Sequence, residues 1–371
     1  MSKPLHITIG TAVQGNTSLA NDIRLVKAAI LYGDQATLCS LGSNMLINTM
    51  AFTEIGMDDR LKFLVSIAPT IDPNTDMAGL HNMVETYRFL SRKKRNRQEL
   101  LMCKQLERAL SQSFDEMREV VFQMAESAGV GEVLDAINSG LLVLQPFERF
   151  DDTEALMHEF FTAVTESIGN MDTYPLFDEQ VGGLVRASIR EGLVATGGAG
   201  KERAKVVGLA AGLIEQLPLF DFATVAEVIE IRRELAKPLV RFRSAIIEMS
   251  ESVERTAWDA DFAHDVEMVL RRDIEPAVLD IREALETNKY LKHLANGVLH
   301  KPLVVLPSSV LGLLVSQLGA VSHEASVALG IAAGAGVIAL DAFEEWKAKQ
   351  EAIESNRLFF YYKAGDRLAA G

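Results

Sequence analysis

The order of elements in the first forty residues constrains the fold more than any other feature of this chain. LHITIG at 5–10 alternates apolar and polar side chains, the pattern of a half-buried strand. Thr17 or Ser18 then caps a helix in which Leu19, Ile23, Val26 and Ile30 recur at helical spacing until Gly33 stops it. A second apolar run follows from Ala36 to Leu41. Strand, amphipathic helix, strand is the βαβ unit, whose crossover requires the two strands to be parallel and normally right-handed. KFLVSI at 62–67 is a candidate further strand, and APTIDPNTD at 68–76, with two prolines and turn formers, marks a boundary.

Beyond it the period changes to 3.6. Helical runs are predicted at 77–95 and 97–127, the second with Leu101, Leu106, Leu110, Phe114, Met117 and Val121 along one side. LLVLQPF at 141–147 is a short β-like interruption. Helices resume at 152–169, 177–195, 202–216, 223–254 and 261–295, with Pro238 and Pro276 expected to bend or break theirs. No fixed-period repeat appears, which argues against a solenoid. The expected fold class is α+β, predominantly α-helical: a small βαβ-containing sheet region at 1–72, a long helical body at 73–300, and an apolar hairpin with a terminal amphipathic helix at 301–371.

That hairpin is the one tract with membrane-like composition. PLVVLPSSVLGLLVSQLGAVS at 302–322 and ASVALGIAAGAGVIAL at 325–340 carry no charge, and His323 and Glu324 form the tip between them. Length decides the reading. A bilayer core is ~30 Å thick and a helix rises ~1.5 Å per residue, so arms at 308–322 and 325–340 reach only about 22 and 24 Å. Burial against neighbouring helices is therefore preferred. Leu311 supplies bulk on one arm, while Gly330 and Gly334 on the other allow close helix approach. The alternative is conditional membrane entry, eased by protonation of His323 and Glu324. The aromatic run in NRLFFYYKAGDR at 356–367 is read as a terminal element docked on the core.

Net charge of −14 repels phosphate backbones, so nucleic-acid binding needs a segregated basic face. One run offers it: Arg92, Lys93, Lys94, Arg95 and Arg97, extended by Lys104 and Arg108, could meet nucleic-acid phosphate or anionic lipid. It lacks interleaved aromatics and reads as a solvated turn. Two cysteines, Cys39 and Cys103, are too few for a disulfide framework or cysteine zinc site, and fit a reducing cytoplasm. MSKPLHITIG lacks the apolar core of a secretory signal.

Chemical motifs are sparse. GTAVQGNT at 10–17 follows a strand and opens a helix, the setting of a phosphate loop, but Asn16 stands where that loop needs lysine. Gly10, Gly15, Asn16 and Thr17 are thus an anion-site candidate, in which backbone N–H groups and the helix dipole would hold the anion. ATGGAGKER at 195–203 reads as a glycine linker between helices. Asp261, His264 and Asp265 would share one helical face, a metal candidate with too few ligands of its own. Cys39 has no histidine near it in sequence and reads as a core cysteine. The Glu/Arg mixtures around Glu230, Arg232, Arg233, Glu234, Arg241 and Arg243 read as ion pairs three or four residues apart.

DIRLVKAAILYGDQATLCS and NRLFFYYKA are similar to openings and endings of bacterial proteins, a likeness that names no family and implies no activity. The cofactor is left open. The first expectation is a non-enzymatic interaction or scaffold protein that engages a protein partner or itself. The alternatives are a conditional membrane-active effector using 302–340 and a phosphate- or nucleotide-responsive protein using 10–18. The scaffold expectation weakens if folding assembles a convergent polar pocket.

Overall fold

The computed structural model describes residues 4–13, 18–52, 61, 62, 65, 76–92, 97–147, 153–299 and 346–370. The chain is predominantly helical α+β, with one small parallel sheet. β1 (His6–Thr11) pairs in parallel with β2 (Gln35–Ser40) across α1 (Ala20–Tyr32), as the βαβ reading requires. α2 (Leu41–Phe52) leaves β2 directly. Lys62 and Val65 are helical, which corrects the candidate strand at 62–67. An apolar run without clean alternation suits a helix as readily as a strand.

α3 (Met77–Arg92), α4 (Arg97–Ala128) and α5 (Val130–Asn138) follow, then β3 (Leu142–Leu144) within the apolar interruption at 141–147. Leu101 is 56% exposed, so it lies off the apolar side of α4 expected for it. Its five-residue step to Leu106 turns it away from that face. After α6 (Thr153–Gly169) comes β4 (Thr173–Phe177), a strand inside a stretch that shows no strand pattern in the sequence. β4 is an edge strand, and an edge is where Pro175 is tolerated, because its missing N–H faces no partner.

The sheet order is β3-β2-β1-β4, all parallel. Both faces are covered. A Cβ on Gly33, at the end of α1, would meet Ile7 at 2.8 Å, while one on Gly10 would meet Val164 of α6 at 3.4 Å. Ile7 and Gly10 have opposite parity in β1, so α1 and α6 lie on opposite faces. One core contains Leu25, Val26, Ile30 and Leu31 of α1 with Ile7, Ile9 and Leu38; the other joins Cys39, Phe160, Val164 and Ile168 to Val181, Val185 and Trp258.

α7 (Glu179–Arg190) and α8 (Gly198–Glu215) complete the covering of the sheet. The helix of α8 begins at Gly198, which corrects the glycine linker at 195–203. A close contact accounts for one of these glycines, and an arginine fixes the turn beside it. A Cβ on Gly200 would lie 2.7 Å from the Ile168 carbonyl, and Arg203 turns inward to donate to the carbonyls of Asn170 and Thr173, both at 2.7 Å. Its guanidinium thus holds the turn from α6 into β4. Arg232, in α9 (Val225–Glu234), likewise donates to the carbonyls of Ile30, at 2.7 Å, and of Gly33, at the end of α1. These partners, and Asp34, with which Arg232 pairs at 3.6 Å, lie far away in sequence; the carboxyl end of a helix concentrates unpaired carbonyls.

The chain divides into two compact units, one of Met1–Glu234, Ile246–Val266 and Gly371, the other of Leu235–Ala245 and Glu267–Ala370. α10 (Ala236–Ser250) has Pro238 in its first turn, where a missing N–H costs nothing, and α11 (Phe262–Val269) runs into a π turn at Leu270–Ile274. α12 (Glu275–Leu299) then carries Pro276 in its first turn; the wider π turn leaves room for the ring. In the second unit Phe242 packs on Phe360 and Tyr361, with ring centroids 5.0 and 6.2 Å apart. Phe359, Phe360 and Tyr361 are buried in α13 (Phe359–Ala370), so the aromatic run docks as a terminal helix within that unit. Burial pushes the Tyr361 hydroxyl well above the usual phenol range, with Glu275 adding to it. Among the described residues, no helix is long and apolar enough to cross a membrane. The hairpin at 302–340, with Leu311, His323, Glu324, Gly330 and Gly334, lies outside them.

Candidate functional site

In a parallel sheet with helices on both faces, strand order determines where a crevice opens. Here β1 connects to β2 on one side, whereas the chain returns from β3 to place β4 on the other. The connections therefore diverge between β1 and β4, and the crevice lies outside the carboxyl ends of those two strands. Gly10 and Thr11 end β1, Ser40 ends β2, and Phe177 ends β4. Of the sequence candidate at 10–18, Gly10 lies at this edge. Gly10 is buried within β1; Gly15, Asn16 and Thr17 lie outside the described residues.

Two aspartates organise the edge. Asp178, 3% exposed, is the N-cap of α7: one carboxylate oxygen accepts from Val181 N at 2.8 Å and the other from Ala12 N at 2.9 Å. It thereby ties the exit of β1 to the exit of β4. Asp22, in the first turn of α1, accepts from the hydroxyls of Ser40 and Ser43, both at 2.5 Å. The Thr11 hydroxyl acts on the same carboxylate without closing a hydrogen bond of ordinary geometry. Burial raises the Asp22 carboxyl above its usual range, the three hydroxyls pull it back, and the charge of Asp178 raises it again. Neither aspartate is among the residues singled out from the sequence. Asp178 has a detectable signal, an N-cap residue followed by Glu179 at a helix start.

A cleft of about 500 Å³ opens beside Asp178. Its floor includes Phe177 and Trp258, whose rings are 6.3 Å apart. Arg24 and Arg186 line it together with the carboxylates of Asp178, Glu179, Glu215 and Asp259. Several of these charges are held by the protein itself. Arg24 pairs with Glu215 at 2.6 Å, Arg186 donates to the Trp258 carbonyl at 3.2 Å, and Asp259 accepts from the N and Oγ1 of Thr256 at 2.8 and 2.6 Å. Burial raises the Glu215 carboxyl despite the opposing pull of Arg24. Close packing of the wall depends on glycine: a Cβ on Gly208 would meet Ala257 at 2.5 Å.

The remaining candidates resolve differently. Asp261 precedes α11 instead of sharing its face with His264, and Asp265 is committed to Arg255 at 2.5 Å, which dismantles the proposed metal face. Among the described residues no group of three or more His, Cys, Asp or Glu side chains is placed to hold a metal. Arg92 closes α3 and Arg97 is exposed at the start of α4, while Lys93, Lys94 and Arg95 lie outside the described residues.

Cys39 is 2% exposed, and burial pushes its thiol up to about 12. Since the thiolate is the reactive form, Cys39 is expected to resist a thiol reagent in the native protein near neutral pH and to label fully on denaturation. Peptide mapping of the labelled cysteine checks this. Comparison with family models, with curated proteins and with solved structures finds no match to this chain.

Proposed function

We propose that the amino-terminal unit binds a small organic ligand in the cleft beside the carboxyl end of β4, walled by α1, α7, α8 and residues 257–266. The observation that carries this reading is that a cleft of ligand-binding size opens at the carboxyl end of β4, the strand beside which the connections diverge. The same polar cleft favours ligand binding over a scaffold role alone.

Charge narrows the ligand class. Two arginines and four carboxylates line the cleft, and the sequence that follows β1 has Asn16 where a phosphate loop needs lysine. A polyphosphate would meet net repulsion, whereas a flat, neutral or cationic molecule of nucleoside size would find aromatic surface in the half-buried Phe177 and an acceptor in the exposed Glu179. The role is recognition, in which ligand binding stabilises the unit.

A thermal-shift panel of nucleosides, aromatic amines and nucleoside triphosphates tests the reading. Nucleosides or amines are expected to raise the melting temperature and triphosphates to do so less. At a hundred times Kd the gain is about 2.7 kcal/mol. Ala260, an exposed lining residue, is the place to fill the cleft, so Ala260→Trp is expected to abolish the shift. No shift from any compound, or a shift indifferent to Ala260→Trp, overturns the proposal.

A further inference from the structure

The outer face of α4 carries a charge pattern that is complementary to itself. Arg97, Leu101, Lys104, Arg108, Gln112, Asp115, Glu119, Phe122 and Glu126 are all exposed, and Ser111 is half-buried. Their steps of three and four residues keep them on one stripe of a 32-residue helix, about 48 Å long. The amino-terminal half of this stripe is basic and the carboxyl-terminal half acidic. Leu101 and Phe122, 56% and 42% exposed, stand one in each half.

The arrangement is symmetric about the point between Ser111 and Gln112. Arg108 and Asp115 are equidistant from it, as are Lys104 and Glu119, Leu101 and Phe122, and Arg97 and Glu126. Every basic residue of the stripe thus has an acidic counterpart at the mirrored position, and the apolar residue has an apolar one. We infer that this face of α4 pairs with the same face of a second copy of the chain, antiparallel, about a two-fold axis at Ser111 and Gln112.

In that pairing each helix meets its partner's opposite sign at three levels, Arg97 with Glu126, Lys104 with Glu119 and Arg108 with Asp115, and Leu101 packs on Phe122. A two-fold interface uses one patch on both copies, which is the self-complementarity seen here. Parallel pairing would set Lys104 on Lys104 and Asp115 on Asp115, and repulsion would exclude it. The charges select orientation and register, and the apolar pair supplies desolvation. The pairs are solvent-exposed, so association is concentration-dependent and weakens with salt.

Sedimentation velocity on the full chain tests this over a concentration series at low and high salt. The wild type is expected to shift from monomer to dimer, less so in high salt. Lys104→Glu and Glu119→Lys are each expected to raise the dimer Kd about tenfold, because each places two like-charge contacts in the dimer. The double variant Lys104→Glu/Glu119→Lys restores opposite charges across the interface and is expected to return the Kd to near the wild-type value. The rescue has no intramolecular route, since the two positions are about 22 Å apart along one helix. Circular dichroism confirms that each variant stays folded. A wild type that remains monomeric throughout overturns the inference, as does a dimer indifferent to both single reversals or a double variant no tighter than the singles.

Discussion

Lys27→Met is expected to lower the stability of the amino-terminal unit by about 3 kcal/mol, a large loss for a change that keeps most of the side chain's volume. Lys27 lies in the middle of α1 and is 3% exposed. Its ammonium donates to the carbonyls of Phe220, Asp221 and Ala223 at 2.9, 3.1 and 3.0 Å, and lies 4.9 Å from the centroid of the Phe220 ring. Those carbonyls belong to the tight turn after α8, entered through Leu219 at φ 59°. The lysine satisfies three carbonyls of this turn at once, of which only that of Phe220 also accepts from a backbone donor inside the turn, Ala223 N at 3.3 Å. Burial lowers the Lys27 pKa, while Asp221, Glu132, Glu215 and Glu227 support the charged form. Methionine retains the aliphatic stem and removes the donors, so packing is nearly conserved and the lost hydrogen bonds dominate. Urea denaturation followed by circular dichroism measures the difference; a change below about 1 kcal/mol would mean that water replaces the ammonium at no cost.

Lys27 also shows why only part of this fold is legible in the sequence. Leu25, Val26, Ile30 and Leu31 announce a buried helix face through their spacing, and the alternation in HITIG and the run QATLC announce strands. Those are local signals, and parallel pairing follows from them. A lysine among them reads as solvent-facing, because its carbonyl partners lie 193 or more residues away. Comparable distances hide the roles of Arg232 and Asp178, and a span of thirty residues or more hides that of Arg203. β4 escapes notice because Pro175 is a negative signal for a strand unless its edge position is known. The cleft is invisible for a stronger reason: its walls come from residues 24–25, 176–186, 208–216 and 257–266, and no single window of sequence contains it. By contrast, the phosphate-loop resemblance at 10–17 begins at Gly10, near the end of β1, while Asn16 argues against the ligand usually bound by such a loop.

Asp22 gives the second large effect, and its sign depends on the replacement. Because burial raises its carboxyl above the usual 3.8, the folded state takes up a proton more readily than the unfolded chain. Between 3.8 and the higher folded value the unfolded state therefore holds fewer protons, and stability falls as pH rises through that window before levelling off. An amide in place of the carboxyl keeps an acceptor for Ser40 and Ser43 but does not titrate. Asp22→Asn is thus expected to gain on the wild type as pH climbs above 3.8, and to show no advantage below it. Asp22→Ala removes the acceptor altogether and leaves two buried hydroxyls without it, at a cost of about 2 kcal/mol near neutral pH. Urea midpoints of the three proteins, followed from acid to neutral pH, separate the contributions. If the Asp22→Asn and wild-type curves run parallel across the whole range, Asp22 titrates alike in both states, and the serine hydroxyls together with the α1 amino terminus fully offset its burial.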